Sequence, residues 1–420
     1  MLLVSKTYWL GMPFWFKRPP DHARAESLVL RAHDMRQFRA LYWTSTRHPA
    51  PRVGVVVIHP RIDFHHHYSV PRLVAAGFGV LAANTRHAGN DTMAEHEEMV
   101  LDVAGCVRYL LEKRGVERVV LLGNCGGGSL VAYYQAQARL PAAERIARSP
   151  GGSPTFFDGA PMTPAHAVIY VAAHPGQGKL LLEAIDPAVA DERDPLSCDP
   201  ALDMYDPRNG FREPPAWSSY DAAFLARYRA AQRERVARLD ATARELVARH
   251  TEATAASTAS DLAARSADEQ RAIWRRRACE PILTVYRTMA NPAYVCRDVE
   301  PSGRDYGSLL SERPDLMNYA ALGFARTCTP RAWLSTWSGL SSNADLAANA
   351  ARIAEPTLAI HAGRDREVFP RDLAALERAI SSPRKRVVTL DDARHYFEGE
   401  PGHVDAVMDL IVPFIEEHCG

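Results

Sequence analysis

Residues 118–128, Arg118-Val119-Val120-Leu121-Leu122-Gly123-Asn124-Cys125-Gly126-Gly127-Gly128, are the stretch that decides how this chain is built. The aliphatic run reads as a strand buried on both faces. A helix follows, carrying Leu130, Tyr133 and Tyr134. The turn between them has the form Gly-x-Cys-x-Gly. A side chain held on such a sharp turn crowds the neighbouring backbone, so only glycine fits two residues before it and two after. At the start of a helix a thiol meets partial positive charge, which favours thiolate, and the N–H of Gly126 can point at a developing oxyanion. Glycine-rich strand-to-helix turns also cradle phosphates. This one lacks the Lys-Ser/Thr of a P-loop and the spacing of a dinucleotide fingerprint.

On the N-terminal side, residues 27–32 and 38–43 alternate like an antiparallel pair of strands. Residues 53–58 (VGVVVI) form a buried strand, 70–76 a helix stopping at Gly77, and 79–83 a strand. Residues 94–114 have helical periodicity and stop at Gly115. On the C-terminal side, residues 167–171 are a strand, and then the pattern breaks. Residues 174–210 read as loop with repeated Asp-Pro pairs. Residues 219–278 are Ala-, Arg- and Glu-rich amphipathic helix with a break near 254–260, and 281–340 are loop-rich. Alternation resumes with a strand at 356–360, a helix at 371–380, a strand at 386–390 and a helix at 403–417. Strands and helices in this order imply an α/β fold with a mostly parallel sheet flanked by helices. The expected division is a core of residues 1–173 and 340–420, with residues 174–339 a large, mainly helical cap.

The chain has 420 residues, with 50 basic and 50 acidic side chains and no formal net charge. It lacks the basic excess that nucleic acid or an anionic membrane surface would select. Its seven cysteines are odd in number and scattered, with no CxxC pair. This points to free thiols in a reducing compartment. The apolar, aromatic start (MLLVSKTYWLGMPFWF) lacks the parts of a signal peptide, and no run approaches the roughly 18 apolar residues of a spanning helix. The expectation is a cytoplasmic protein with a small-molecule substrate, no nucleic acid or membrane partner, no metal and no organic cofactor. A homodimer stays open, because the aromatic start can pack on its own core or on a second copy.

A nucleophilic thiol needs a base, and the base needs an acid to orient it. Asp365 follows the 356–360 strand in Gly363-Arg364-Asp365, with Glu367 in reserve. His395 follows the 386–390 strand in Asp391-Asp392-Ala393-Arg394-His395-Tyr396-Phe397. Ser129, inside the helix, is not placed as a nucleophile. GNCGGG, PTLAIHAGRD and ARHYFEG, in that order, resemble the nucleophile elbow, acid loop and histidine loop of the α/β-hydrolase fold superfamily. The resemblance covers the two outer blocks of the chain and not the middle. It implies the α/β-hydrolase fold and a catalytic set of Cys125, Asp365 and His395. Superfamily members usually carry Ser at the elbow. The Cys is similar to that of the dienelactone hydrolases, which are smaller and lack such an insertion. A Ser replaced by Cys in the laboratory reads the same way.

The oxyanion hole is expected from Gly126 and from the loop Ile58-His59-Pro60-Arg61-Ile62-Asp63, where many relatives have His-Gly. Pro60 has no N–H, so the second donor falls to Arg61 or Ile62. The Arg61 side chain could fork a substrate carboxylate or simply pack. His59, His174 and Trp337 are candidate substrate contacts. Tyr205, Trp217, Tyr220 and Trp333 could line the cap or form plain core. His65-His66-His67 lacks accompanying ligands for a metal and reads as the start of a helix. The loop 86–91 could line the pocket or be a polar turn. The function this supports is hydrolysis of an ester, lactone or thioester of a small organic substrate by covalent Cys catalysis. The alternatives are carbon–carbon bond hydrolysis or acyl transfer on the same triad, and ligand binding without chemistry.

Overall fold

All seven residues of strand β3 (Val53–His59) are buried, and Val55, Val56, Val57 and Ile58 have no exposed surface. Each such side chain contributes roughly 1.5–3 kcal/mol on leaving water. In the computed structural model, which describes residues 18–397 and 401–420, this strand lies inside an eight-stranded sheet. The others are β1 (Ala23–Arg31), β2 (Gln37–Ser45), β4 (Gly79–Asn84), β5 (Arg118–Asn124), β6 (Ala167–Val171), β9 (Thr357–Ala362) and β10 (Lys385–Leu390). A two-residue pair, β7 (Leu283–Thr284) and β8 (Thr327–Cys328), stands apart from it.

The order across the sheet is β1-β2-β4-β3-β5-β6-β9-β10. β2 runs antiparallel to β1 and to β4, and every pairing from β4 to β10 is parallel. The C-terminal ends of β3, β5, β6, β9 and β10 therefore share one edge of the sheet, where open α/β sheets place their sites. Helices α1 (Val70–Ala75) and α11 (Pro401–Cys419) pack on the face that holds Val55 and Val57. Helices α2 (His96–Arg114), α3 (Gly126–Ala138), α9 (Leu346–Ala350) and α10 (Pro370–Ala379) cover the face that holds Val56 and Ile58. Gly115 ends α2 in the left-handed conformation, with φ 65°. This strand order, with the elbow after β5, is the α/β-hydrolase fold.

The chain between β6 and β9 builds a hydrophobic cluster of its own. It contains α4 (Gln177–Ala184), α5 (Ala222–Ser257), α6 (Ala267–Ala278), α7 (Pro314–Met317), α8 (Pro330–Ala332) and a π-helical turn at Trp333–Trp337. Asp221 caps α5 by accepting from the N–H of Phe224 at 2.6 Å, and Ser266 with Glu269 forms a capping box on α6. α5 ends at Ser257, within the span where the sequence loses its pattern. α4 is a correction to the loop expected over 174–210. Its apolar residues Leu180, Leu181 and Ala184 are buried, but two turns flanked by Pro carry too little periodicity to be read. Three of the aromatics weighed as cap lining anchor this cluster's own backbone and side chains. Trp333 Nε1 donates to Asp240 at 2.8 Å, Tyr220 to the carbonyl of Met204 at 2.7 Å, and Tyr205 to that of Met289 at 2.5 Å. Trp217 packs on Tyr306. Among the described residues no helix is long and apolar enough to cross a membrane. The aromatic start of the chain, residues 1–17, lies outside the described residues.

Candidate active site

Cys125 stands between β5 and α3 with φ 55° and ψ −126°, a conformation L-residues rarely adopt. The surrounding backbone enforces it. A Cβ on Gly123 would lie 2.5 Å from the Gly127 carbonyl carbon, and one on Gly127 would lie 2.4 Å from the Ile58 carbonyl oxygen. Asn124 is tied down from both sides. Its Nδ2 donates to the Val171 carbonyl at 2.8 Å, and its Oδ1 accepts from His67 Nε2 at 3.1 Å and from the Tyr68 hydroxyl at 3.0 Å. His67 is thus a support for the elbow, and burial pushes its pKa down to about 3. His65 pairs with Asp63, and His66 packs edge-on to Trp43. No group of three potential metal ligands occurs among the described residues.

Asp365 and His395 arrive at the thiol from the loops after β9 and β10. His395 Nδ1 donates to Asp365 Oδ2 at 2.6 Å, with both side chains buried. The other carboxylate oxygen accepts from the amides of Glu367 at 2.8 Å and Val368 at 3.1 Å, so the acid cannot turn away. Burial disfavours charge on His395, but the Asp365 carboxylate and the sulfur beside it outweigh burial and raise its pKa well above the ordinary range. Burial would also push the Cys125 thiol up. The His395 charge, with the neighbouring rings of His174, His395 and His59, instead holds it well below the ordinary thiol range. His395 Nε2 makes no fully aligned hydrogen bond among the described residues.

Glu367, the reserve acid, does not contact His395 as Asp365 does. Its Oε1 accepts from the Tyr294 hydroxyl at 2.7 Å, and burial lifts its pKa to about 8, so it is largely a neutral acid at pH 7. Tyr294 belongs to the insertion, which therefore reaches the loop that carries Asp365.

The loop after β3 departs from expectation. The amides of Arg61 and Ile62 do not face the sulfur as open donors. Both donate to His59 Nδ1, each at 3.0 Å, because the ring folds back over the turn that Pro60 forces. The Arg61 guanidinium is also engaged. It forks onto the Asp91 carboxylate, with Nε to Oδ1 at 2.6 Å, and stacks 4.7 Å from the Trp337 ring and 5.9 Å from that of Phe324. Arg61 packs rather than reading a substrate carboxylate, and Trp337 is its buried stacking partner. In the loop 86–91, His87 Nε2 bonds Glu98 at 2.6 Å.

The side chains of His59 and His174 do reach the site. Both face Cys125, and a Cβ on Gly126 would lie 3.0 Å from each Nε2 and 2.6 Å from Gln177 Nε2. His174 Nδ1 accepts from the Gly176 amide at 3.1 Å. Sequence reading missed two further residues. Gln177 is the first residue of α4, and its Oε1 is buried without a hydrogen bond among the described residues. His96, at the start of α2, is buried with neither ring nitrogen bonded among the described residues, and burial takes its pKa to about 3 with His174 and His59 nearby. The periodicity of α2 gave no sign that His96 faces inward.

No family model and no curated protein matches the chain. Solved structures similar to it include the esterase domain of a Rhodothermus marinus protein, at 11% identity and a TM-score of 0.43, covering 94% of this chain and 100% of that one. The Pyrococcus furiosus esterase Pf2001 is similar at 8% and 0.45, covering 97% and 100%. A Bacillus anthracis bromoperoxidase is similar at 16% and 0.38, covering 93% and 100%. At such identities and scores these likenesses say nothing of substrate or mechanism.

Proposed function

We propose that this protein is a cysteine-dependent hydrolase of an ester, lactone or thioester of a small organic molecule. The observation that carries this is the buried Asp365–His395 pair beside a thiol held on the elbow at positive φ, its pKa lowered by the His395 charge. The Cys125 sulfur adds to the acyl carbon, forming a C–S bond while the carbonyl π pair moves to oxygen. Collapse of that adduct breaks the bond to the leaving oxygen or sulfur, which takes the proton of His395 Nε2. His395, now neutral, accepts a proton from water as the water oxygen attacks the thioester. The acid leaves and the thiolate–imidazolium pair returns. Asp365 holds the ring so that Nε2 faces the reacting atoms throughout. The insertion supports a cap role, because Tyr294 and Trp337 reach the loops that frame Cys125. A cap there would exclude bulk water and select the acyl group.

The test is intact-mass analysis after mixing with activated esters, lactones and thioesters, with Cys125→Ala as control. The expected result is an acyl adduct on the native chain that clears with turnover and never forms on the variant. An adduct that forms equally on the variant, or none across the panel, overturns the reading. A competing alcohol or amine that captures the acyl group would mark acyl transfer in place of hydrolysis.

A further inference from the structure

We propose that the oxyanion hole of this site is built from imidazole side chains, the Nε2–H groups of His59 and His174, alongside the Gly126 amide. The assignment rests on the hydrolase reading above and deepens it.

The argument starts from ring nitrogens. A neutral imidazole has one N–H and one bare nitrogen, and the partner of one decides the state of the other. His59 Nδ1 accepts two backbone amides, from Arg61 and Ile62. His174 Nδ1 accepts one, from Gly176. A nitrogen that accepts an N–H carries no proton, so in both rings the proton is on Nε2. Burial lowers the pKa of His59 and keeps that ring neutral. Its Nε2 is buried and makes no fully aligned hydrogen bond among the described residues.

Placement completes the argument. β3 and β6 are the two strands that flank β5 in the sheet. Each leads into a His-Pro dipeptide: β3 ends at His59, before Pro60, and His174-Pro175 lies in the loop just after β6. The two rings therefore come to the elbow from opposite sides, and their Nε2 atoms lie 3.0 Å from the point where a Gly126 side chain would begin. That point adjoins the Gly126 amide at the N-terminus of α3, where an elbow places its oxyanion. In the resting site the two N–H groups face the sulfur. On attack, negative charge moves from sulfur to the carbonyl oxygen, and fixed donors between the two positions follow it without rearrangement. This also accounts for the position of Pro60. The loop's amides hold His59, and the ring supplies the donor that a backbone N–H at residue 60 would otherwise give.

The discriminating variants are His59→Asn and His174→Asn. The carboxamide oxygen can still accept the backbone amides that Nδ1 accepts, while the Nε2–H is lost. Two reactions at Cys125 are compared. Acylation by p-nitrophenyl acetate develops an oxyanion, and alkylation by iodoacetamide does not. In the double variant, acylation is expected to fall about 10²–10³-fold, the usual loss for oxyanion donors, with alkylation changed by only a few-fold. Parallel loss of both rates would mean that the rings only hold the thiolate, and equal acylation would mean that they do nothing; either result overturns the assignment. If a variant does not fold, two-bond ¹H–¹⁵N correlation on the native protein decides. Nε2–H tautomers for both rings support the proposal, and an Nδ1–H tautomer in either removes it. Native protein that alkylates at Cys125 but never acylates would remove the hydrolase reading itself, a result distinct from acylation that ignores both substitutions.

Discussion

Two loops of this molecule aim an imidazole at one sulfur and give it opposite chemistry. After β10, His395 Nδ1 meets a carboxylate, so that nitrogen keeps its proton and Nε2 can accept one. After β3, His59 Nδ1 meets two amides, so that nitrogen is bare and Nε2 must donate. Ring type and burial are alike in the two places. What differs is the group behind the ring, which suits one imidazole to the proposed base and the other to the proposed fixed donor. The role of a histidine here is thus written in its far-side hydrogen bond.

Asp365→Asn breaks the comparison most directly. A carboxamide can donate to His395 Nδ1 and turn the ring into the tautomer of His59. Acylation should fall about 10⁴-fold, as when the wrong tautomer is imposed on a serine triad. Single-turnover acylation measures this, with circular dichroism to show an intact fold. Gly126→Ala tests the space between the donors. Its Cβ would press on Gln177 and both rings, and acylation should drop about 10²-fold, the loss expected from misplacement on the ångström scale. Unchanged acylation would show that no substrate oxygen enters there.

The pH profile sharpens the contrast. With the thiol lowered and the imidazole raised, iodoacetamide should react briskly at pH 6, where an ordinary thiol of pKa about 8.5 is mostly protonated. His395→Ala should return that profile toward the ordinary range, and His59→Asn should move it far less. The smallest effect concerns Glu367. Its folded pKa of about 8 lies above that of an unfolded glutamate. The native state therefore binds more protons than the unfolded state between those values, and stability falls as pH rises through that window. Glu367→Gln removes this slope, worth on the order of a few kcal/mol. Urea unfolding at pH 5 and pH 9 should show the variant much less sensitive to pH than the native chain.

The elements that pack on the sheet were legible in the sequence. Buried strands such as Val53–His59 advertise themselves through β-branched runs, and the elbow through glycines that no other residue can replace. The placement of Cys125, Asp365 and His395, each in the turn or loop after a strand at one sheet edge, was legible in the sequence. The insertion was legible only as helix against loop. Part of its core comes from residues outside the long helices, such as Met204 and Trp333, which follow no period. The amides of Arg61 and Ile62 were misread because nothing in a sequence shows a ring folding back to accept them. One signal was present for His59 and His174. Both are followed by Pro, at or just past the end of a strand beside the elbow strand, and Pro fixes the turn that lets the ring reach the amide two residues on.

The backbone at Cys125 has a consequence for how such a protein can be improved. A left-handed, non-glycine residue held by its neighbours stores about 1–3 kcal/mol, and at Cys125 the φ is 55°. Glycine would adopt the same turn without that cost, and glycine has no sulfur. A screen that rewarded heat resistance alone would therefore drift toward a residue without the thiol on which the proposed chemistry depends. Libraries aimed at durability should hold position 125 fixed and seek their gains in the insertion.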